Sequence, residues 1–200
     1  MSLAVLTSRA LAGMQAPEVV VEVHLANGLP SFTIVGLPET EVKEAKDRVR
    51  AALQNAGFEF PARRITVNLA PADLPKESGR FDLPIALGIL AASGQMPADT
   101  LNRYEFAGEL SLSGALRPIR GALAMTFAMQ RLHGGKPRER AFILPRANAD
   151  EAALVRDMTI LPADSLLQVV AHFAGRDEDT RLQPHTLQHT KACAPRYPDL

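Results

Sequence analysis

The residues whose types and spacing are best suited to form a functional site lie in one stretch, positions 69–92. It reads LAPADLPKESGRFDLPIALGILAA. Its first half is a charged loop stiffened by prolines, which lack an N–H donor and restrict φ. Its second half, 83–92, is almost free of polar groups and predicts a buried helix that starts near Asp82 and Pro84. Polar side chains at the start of a buried helix often form a binding site; the competing interpretation is that Asp82 only caps the helix.

Four cations around this stretch have the chemistry to contact phosphates. Two precede the predicted strand 65–69 and two lie in the loop that follows it: Arg63, Arg64, Lys76 and Arg80. If the strand and loop bring them together, they form a positive patch, which is a candidate DNA-binding or interface surface. The alternative is that Glu77 and Asp82 neutralise the patch and that Arg80 pairs with a carboxylate.

Metal and nucleotide chemistry have weaker support in the sequence. His185, His189 and Cys193 are spaced four apart, but they fall in a polar segment, and we expect no metal site there. The sequence contains no G-x-x-x-x-G-K-[ST], G-x-G-x-x-G or G-x-S-x-G motif. We therefore expect no cofactor in this domain.

Composition narrows the class of protein. The 200 residues include 22 basic and 22 acidic side chains, so no overall positive field attracts nucleic acid. A single cysteine fits a reducing cytoplasm, and no apolar run approaches the ~20 residues of a membrane span. We expect a cytoplasmic protein with no membrane partner.

The strands and helices that must position these residues are predicted from the spacing of apolar residues along the chain. Segments 3–8, 19–25 and 31–35 predict strands, and the Asn27-Gly28 turn predicts that the last two pair in an N-terminal antiparallel meander. Further strands are predicted at 65–69, 104–112, 141–144 and 158–161, with helices starting near Pro38, Asp82, Ala122, Asn148 and Ser165. This pattern predicts an α/β (α+β) fold in which helices pack on a mixed sheet.

Two further features concern organisation. The helix after Pro38 places Lys43, Lys46, Arg48 and Arg50 on its outer face, which indicates either solvent-exposed salt bridges or a docking face. From position 176 the composition becomes polar and proline-containing, so we predict a domain over 1–175 and a linker or tail over 176–200.

Three long segments resemble a known family. GLPETEVKEAKDRVRAAL, ITVNLAPADLPKESGRFDLPIALGILAASG and GELSLSGALRPIRGAL closely resemble the N-terminal domain of the ComM/YifB family of bacterial magnesium-chelatase-like AAA+ ATPases. The resemblance runs from the start to about position 174. It implies a following AAA+ module that binds ATP and Mg, a homo-oligomeric (hexameric) ring, and ATP-driven DNA branch migration in natural transformation. This domain would help ring assembly or contact DNA; whether DNA touches it is left open.

The same domain resembles the proteolytic domain of Lon, a fold shared with domain 2 of ribosomal protein S5. Gap-free alignment of the PKESGRFD segment places Arg80 where Lon has its catalytic serine, and the later segment places Leu123 at the lysine position. Because a Ser–Lys dyad needs a hydroxyl and an amine, we expect no catalytic residue here. The alternatives are a Lon-like ATP-dependent serine protease, disfavoured by these two residues, and, more weakly, a magnesium-chelatase regulatory subunit.

Overall fold

The computed structural model describes residues 2–131, 140–175 and 177–187. The strands are β1 Leu3–Arg9, β2 Glu18–Ala26, β3 Ser31–Val35, β4 Arg64–Ala70, β5 Tyr104–Phe106, β6 Glu109–Leu110, β7 Leu116–Arg117, β8 Ala141–Pro145 and β9 Ile160–Ala163. The helices are α1 Thr40–Lys43, α2 Ala45–Asn55, α3 Asp82–Ala92, α4 Ala122–Arg131, α5 Ala149–Ala152 and α6 Leu166–Ala174. The predicted α/β class is confirmed. Within the described residues, no helix combines the length and apolarity that crossing a membrane requires.

The main sheet has four strands in the order β1-β2-β4-β3. Strand β2 forms because its residues alternate: Val21 and Val23 are fully buried, whereas His24 faces solvent. The amide of Asn68, which is polar within β4, donates to the Glu22 carboxylate across the β2–β4 pair at 2.7 Å. Strand β2 is antiparallel to both β1 and β4, and β3 runs parallel to β4.

The predicted antiparallel meander is therefore only half right. Strands β1 and β2 pair as expected, but β3 does not return alongside β2. Instead β3, the α1–α2 segment and β4 form a parallel β-α-β unit, and β4 occupies the edge of β2 that a hairpin would have used. Which strand takes a free edge is decided by long-range packing, not by the Asn27-Gly28 turn.

Helix α3 lies against β1 and β2, and all of its residues are buried, as the apolar run predicts. Gly88 makes this close approach possible, because a Cβ at that position would lie 2.4 Å from Cγ2 of Val23. The apolar pattern and the small residue together place α3 directly on the sheet. Its first residue, Asp82, is held at a fixed point below the surface.

The predicted strand 104–112 is interrupted, and the interruption shapes the candidate site. The backbone at Gly108 bonds to the start of α3 instead of continuing the ladder: its N–H donates to the carbonyl of Arg80 at 2.9 Å, and its carbonyl accepts from Leu83 N–H at 3.0 Å. The chain therefore forms two short strands, β5 and β6. The predicted helix near Asn148 is likewise reduced to a 3₁₀ turn and the four-residue α5.

Candidate functional site

The loop after β4 is anchored by a buried lysine. Lys76 is fully buried, and its ammonium donates to the carbonyl of Pro71. Its backbone pairs with the segment before α1: Lys76 N–H donates to Leu37 O at 3.2 Å, and Glu39 N–H donates to Lys76 O at 2.9 Å. Burial lowers the pKa of Lys76. This side chain fixes the loop and does not offer its charge to a partner at the surface.

The loop ends in a tight turn that enters α3. Ser78 has φ +65°, an unusual value for a residue with a side chain, and its N–H donates to a carboxylate oxygen of Glu41 at 3.0 Å. Gly79 follows, and a Cβ there would lie 2.7 Å from the carboxylate of Glu109. The one-turn 3₁₀ helix Gly79–Phe81 then leads directly into α3. Glycine at this position therefore allows the loop and the Glu109 side chain to pack together.

Arg80 lies inside the molecule. Only 2% of it is exposed; its Nε donates to Ser78 Oγ at 2.9 Å and its Nη1 to the Arg120 carbonyl at 3.3 Å. Burial lowers the pKa of the Arg80 guanidinium. In the part of the chain that the structure describes, no carboxylate lies within 4.0 Å of it. The interpretation that Arg80 pairs with a carboxylate is therefore wrong: Glu77 favours its charged form but forms no ion pair with it, and Asp82 pairs with Arg48 instead.

The position that the Lon resemblance aligns with the catalytic lysine also lacks a catalytic group. Leu123 lies on α4, is 40% exposed, and donates its backbone N–H to Glu151 at 3.0 Å. The hydroxyl nearest the first position, that of Ser78, accepts a hydrogen bond from the Arg80 guanidinium, which cannot act as a base. The geometry at positions 80 and 123 offers no nucleophile–base pair.

An ion pair lies beneath this turn. Arg48 donates to both carboxylate oxygens of Asp82, at 2.7 and 3.1 Å, and Leu110 N–H donates to the same carboxylate at 3.1 Å. Because Asp82 is fully buried, desolvation raises its pKa to about 6, even though Arg48 and Leu110 favour the ionised form. Asp82 therefore does not act as a simple helix cap: it joins α2, α3 and β6.

Sequence reasoning misses the role of Arg48. The charge pattern puts it on the outer face of its helix beside Glu44, and the two do lie 3.8 Å apart, but the Arg48 side chain is only 22% exposed and reaches inward to Asp82. A signal is present: Arg48 follows the buried Ala45 by three positions and precedes the buried Ala52 by four. Residues with this spacing share a helix face, which places Arg48 at the edge of the buried stripe.

These groups surround a cavity of about 380 Å³. Three carboxylates and three guanidiniums contribute to its wall, so its charge is mixed. The lining residues are Glu41, Glu44, Arg48, Ser78, Gly79, Arg80, Glu109, Pro118, Ile119 and Arg120.

The structure does not bring the four candidate cations together. Arg63 and Arg64 lie at the start of β4, whereas Lys76 and Arg80 follow its other end, about 20 Å away for a strand of this length. Arg63 donates to Leu25 O at 3.3 Å and to Asn27 Oδ1 at 3.2 Å, and Arg64 is exposed. The predicted shared patch is therefore wrong, because Lys76 and Arg80 point into the protein.

The segment after α6 is predicted to be a linker or tail. Its described part, 177–187, lies against the domain: Leu182 is buried, with its N–H donating to the His172 ring at 3.0 Å, and His185 lies 2.7 Å from Asp150. His189 and Cys193 lie outside the described residues.

Comparisons with known proteins place this arrangement in a family. A family model described as subunit ChlI of Mg-chelatase matches residues 21–148, which contain every residue that lines the cavity. The chain belongs to this family. Within it, the chain matches the N-terminal domain of ComM/YifB proteins.

Individual relatives agree with this assignment. The chain is 55% identical over 178 residues to the competence protein ComM of Haemophilus influenzae, covering 89% of the chain and 34% of that protein. It is 48% identical over 194 residues to YifB of Escherichia coli (94% and 37%) and 51% identical over 176 residues to YifB of Salmonella typhimurium (88% and 34%). The chain spans about one third of the length of these curated relatives.

Proposed function

We propose that this chain is the non-catalytic N-terminal module of a ComM-like AAA+ ATPase that drives DNA branch migration in natural transformation. The observation that carries the proposal is the 55% identity to a competence protein over 89% of the chain. ATP and Mg would bind in the ATPase module of the whole protein. This chain would help assemble a homo-oligomeric, hexameric ring in the cytoplasm or contact DNA.

The site chemistry supports a non-catalytic role. Arg80 and Leu123 stand at the two dyad positions, and Ser78 Oγ is bonded to a guanidinium that stays protonated. A serine protease needs a base that accepts the hydroxyl proton, and neither position supplies one. These residues argue against the Lon-like protease alternative.

For DNA contact, the surface at the start of β4 is a better candidate than the loop that follows the other end of this strand. Arg64 is exposed and Arg63 is partly exposed, whereas Lys76 and Arg80 are enclosed. A cation must reach the phosphate to displace its counterions, so only the first pair can act directly at a surface. Lys76 and Arg80 remain candidates for an interface only through the loop that they hold in place.

The first experiment measures single-stranded DNA binding to the chain by fluorescence anisotropy at several salt concentrations. We expect Arg63→Glu/Arg64→Glu to weaken binding and to reduce the slope of log K against log salt by about 0.7 for each phosphate that the variant no longer neutralises, hence about 1.4 for two phosphates. The matched control is Arg103→Glu/Arg156→Glu, which reverses two other exposed arginines. Equal weakening in both double variants, or none in the first, would show that this surface is not a DNA site.

The second experiment addresses the role in the whole protein. Deletion of residues 1–175 from the full-length protein should reduce the rate at which it moves a three-stranded DNA junction, or prevent ring assembly as measured by analytical ultracentrifugation. Unchanged rate and unchanged ring size after deletion would contradict the proposal.

A weaker candidate is a regulatory subunit for magnesium chelation, which rests on the description of the family model as subunit ChlI of Mg-chelatase. Such a subunit should stimulate magnesium insertion by chelatase partner subunits and be indifferent to DNA. Stimulation of chelation together with no effect on DNA junctions would replace the first proposal with this one.

A further inference from the structure

The buried guanidinium of Arg80 has charge and hydrogen-bonding capacity that the protein does not use. It is 2% exposed, and its hydrogen bonds go to uncharged acceptors, the Ser78 hydroxyl and the Arg120 carbonyl. Glu77 favours the charged form of Arg80 but forms no ion pair with it in the described chain, and a buried cation without an ion-pair partner is unfavourable unless a ligand compensates it. Its Nη2 atom has no hydrogen-bond partner among the described residues.

That unpartnered atom keeps some contact with solvent, and Arg80 lines the cavity. Two side-chain polar atoms of the described residues lack both a partner and solvent contact, Ser8 Oγ and Arg140 Nε, and Arg80 Nη2 is not one of them. Because Arg80 lines the 380 Å³ cavity, Nη2 keeps its accessibility on that side. The cavity can therefore deliver a ligand to this atom.

The backbone at the same place also favours negative charge. The turn Gly79–Phe81 continues into the eleven-residue α3, so the N-terminal end of a long helical segment opens beside Arg80. The first N–H groups of a helix lack intrahelical partners and carry partial positive charge. A helix start and an arginine at one point form the usual elements of a site for phosphate oxygens.

The acidic residues on the cavity wall do not reverse this preference at Arg80, because the carboxylate with an electrostatic effect on that guanidinium is Glu77, which is not among the lining residues. Glu41 accepts the N–H of Ser78, Glu44 lies 3.8 Å from Arg48, and Glu109 lies 4.0 Å from Arg117. Arg80 has no carboxylate within 4.0 Å among the described residues, so a bound anion would be its first ionic partner there. We propose that this cavity binds a phosphoryl oxyanion through Nη2 of Arg80 at the start of the α3 segment. This inference is independent of the branch-migration proposal.

The test follows the ¹H–¹⁵N NMR spectrum of the chain during titration with inorganic phosphate at constant ionic strength and pH 7. We expect saturable shifts of the Gly79 and Arg80 amides and of Arg80 Nε. Arg80→Gln should weaken the apparent affinity by ~10-fold or more, the usual effect of removing a charged hydrogen bond. The control Arg103→Gln, which removes an exposed arginine outside the cavity lining, should bind as the wild type does.

A second variant keeps the test decisive if Arg80→Gln fails to fold. Glu109→Gln removes a negative charge from the cavity wall and should strengthen phosphate binding by about 3-fold, the effect of one charge ~6 Å away in a water-like dielectric. A 3-fold or greater weakening in Glu109→Gln, shifts that rise linearly without saturating, or wild-type affinity in Arg80→Gln would each overturn the proposal.

A second titration distinguishes the possible sources of the phosphoryl group. Tetrathymidylate with a 5′-phosphate and the same oligonucleotide without it are compared with inorganic phosphate on the same amides. Saturable shifts with inorganic phosphate alone identify a free-phosphate site; shifts that both oligonucleotides share identify backbone phosphates, and shifts that need the 5′-phosphate identify a strand end. Saturation by none of the three would refute the proposal.

Discussion

Replacement of Asp82 by Asn tests the physical account of the buried ion pair through pH. Burial raises the pKa of the Asp82 carboxyl from an ordinary 3.8 to about 6, even though the carboxylate accepts hydrogen bonds from Arg48 and Leu110. Between about pH 4 and about pH 6, the folded state therefore holds a proton on Asp82 that the unfolded state has released. Folding takes up a proton there, so the contribution of Asp82 to the free energy of unfolding falls as pH rises from about 4 to about 6.

The magnitude follows from the shift. About two pKa units at ~1.4 kcal/mol per unit correspond to about 3 kcal/mol, complete below pH 4 and absent above pH 6. Asp82 is 0% exposed, so solvent does not screen this effect. The Asn side chain does not titrate, and its carbonyl oxygen can still accept a hydrogen bond from the N–H of Leu110.

The assay is urea unfolding of wild type and Asp82→Asn at pH 4, 5, 6 and 7. The difference, wild-type minus variant free energy of unfolding, should fall by about 3 kcal/mol across this range. Subtraction cancels the other titrating groups, which the two proteins share. A difference that stays constant would refute the raised pKa, and one that rises with pH would show that the ion pair outweighs desolvation.

A second background checks the cause. Arg48 favours the ionised carboxylate, so Arg48→Gln should raise the pKa of Asp82 further. In that background, the free energy of unfolding of Arg48→Gln minus that of Arg48→Gln/Asp82→Asn should fall with rising pH over a pH range that extends above pH 6. If the range does not move, Arg48 has no electrostatic effect on this carboxyl.

Two further outcomes are expected. Gly88→Ala should lower the free energy of unfolding by ~1–3 kcal/mol, because the new methyl group would lie 2.4 Å from Val23 Cγ2 in a packed interface; an unchanged urea midpoint would show that α3 can shift at no cost. The chain should not cleave unfolded protein or react with a serine-directed covalent probe, because the Lon resemblance aligns Arg80 and Leu123 with the two dyad residues; stoichiometric labelling at Ser78, followed by mass spectrometry, would contradict this.

The sequence determined those features that depend on local spacing. The apolar run 83–92 could only be stable in a buried place, and the structure encloses all of it. The alternation in β2 indicates which side chains face the core, and the structure agrees. Both patterns repeat within a few residues, where backbone geometry alone decides which side chains share a face.

The tertiary structure alone decided the strand order and the site. Strand β4 takes the edge of β2 that the turn assigns to β3, and this choice depends on a pairing between segments far apart in the chain. The same holds for the ion pair between Arg48 and Asp82, which are 34 positions apart. Arg80 resembles a surface cation in the sequence because its neighbours there are charged. It is buried because Gly108, Arg120 and Met125, from other segments, close around it, and one-dimensional spacing cannot report such a neighbourhood.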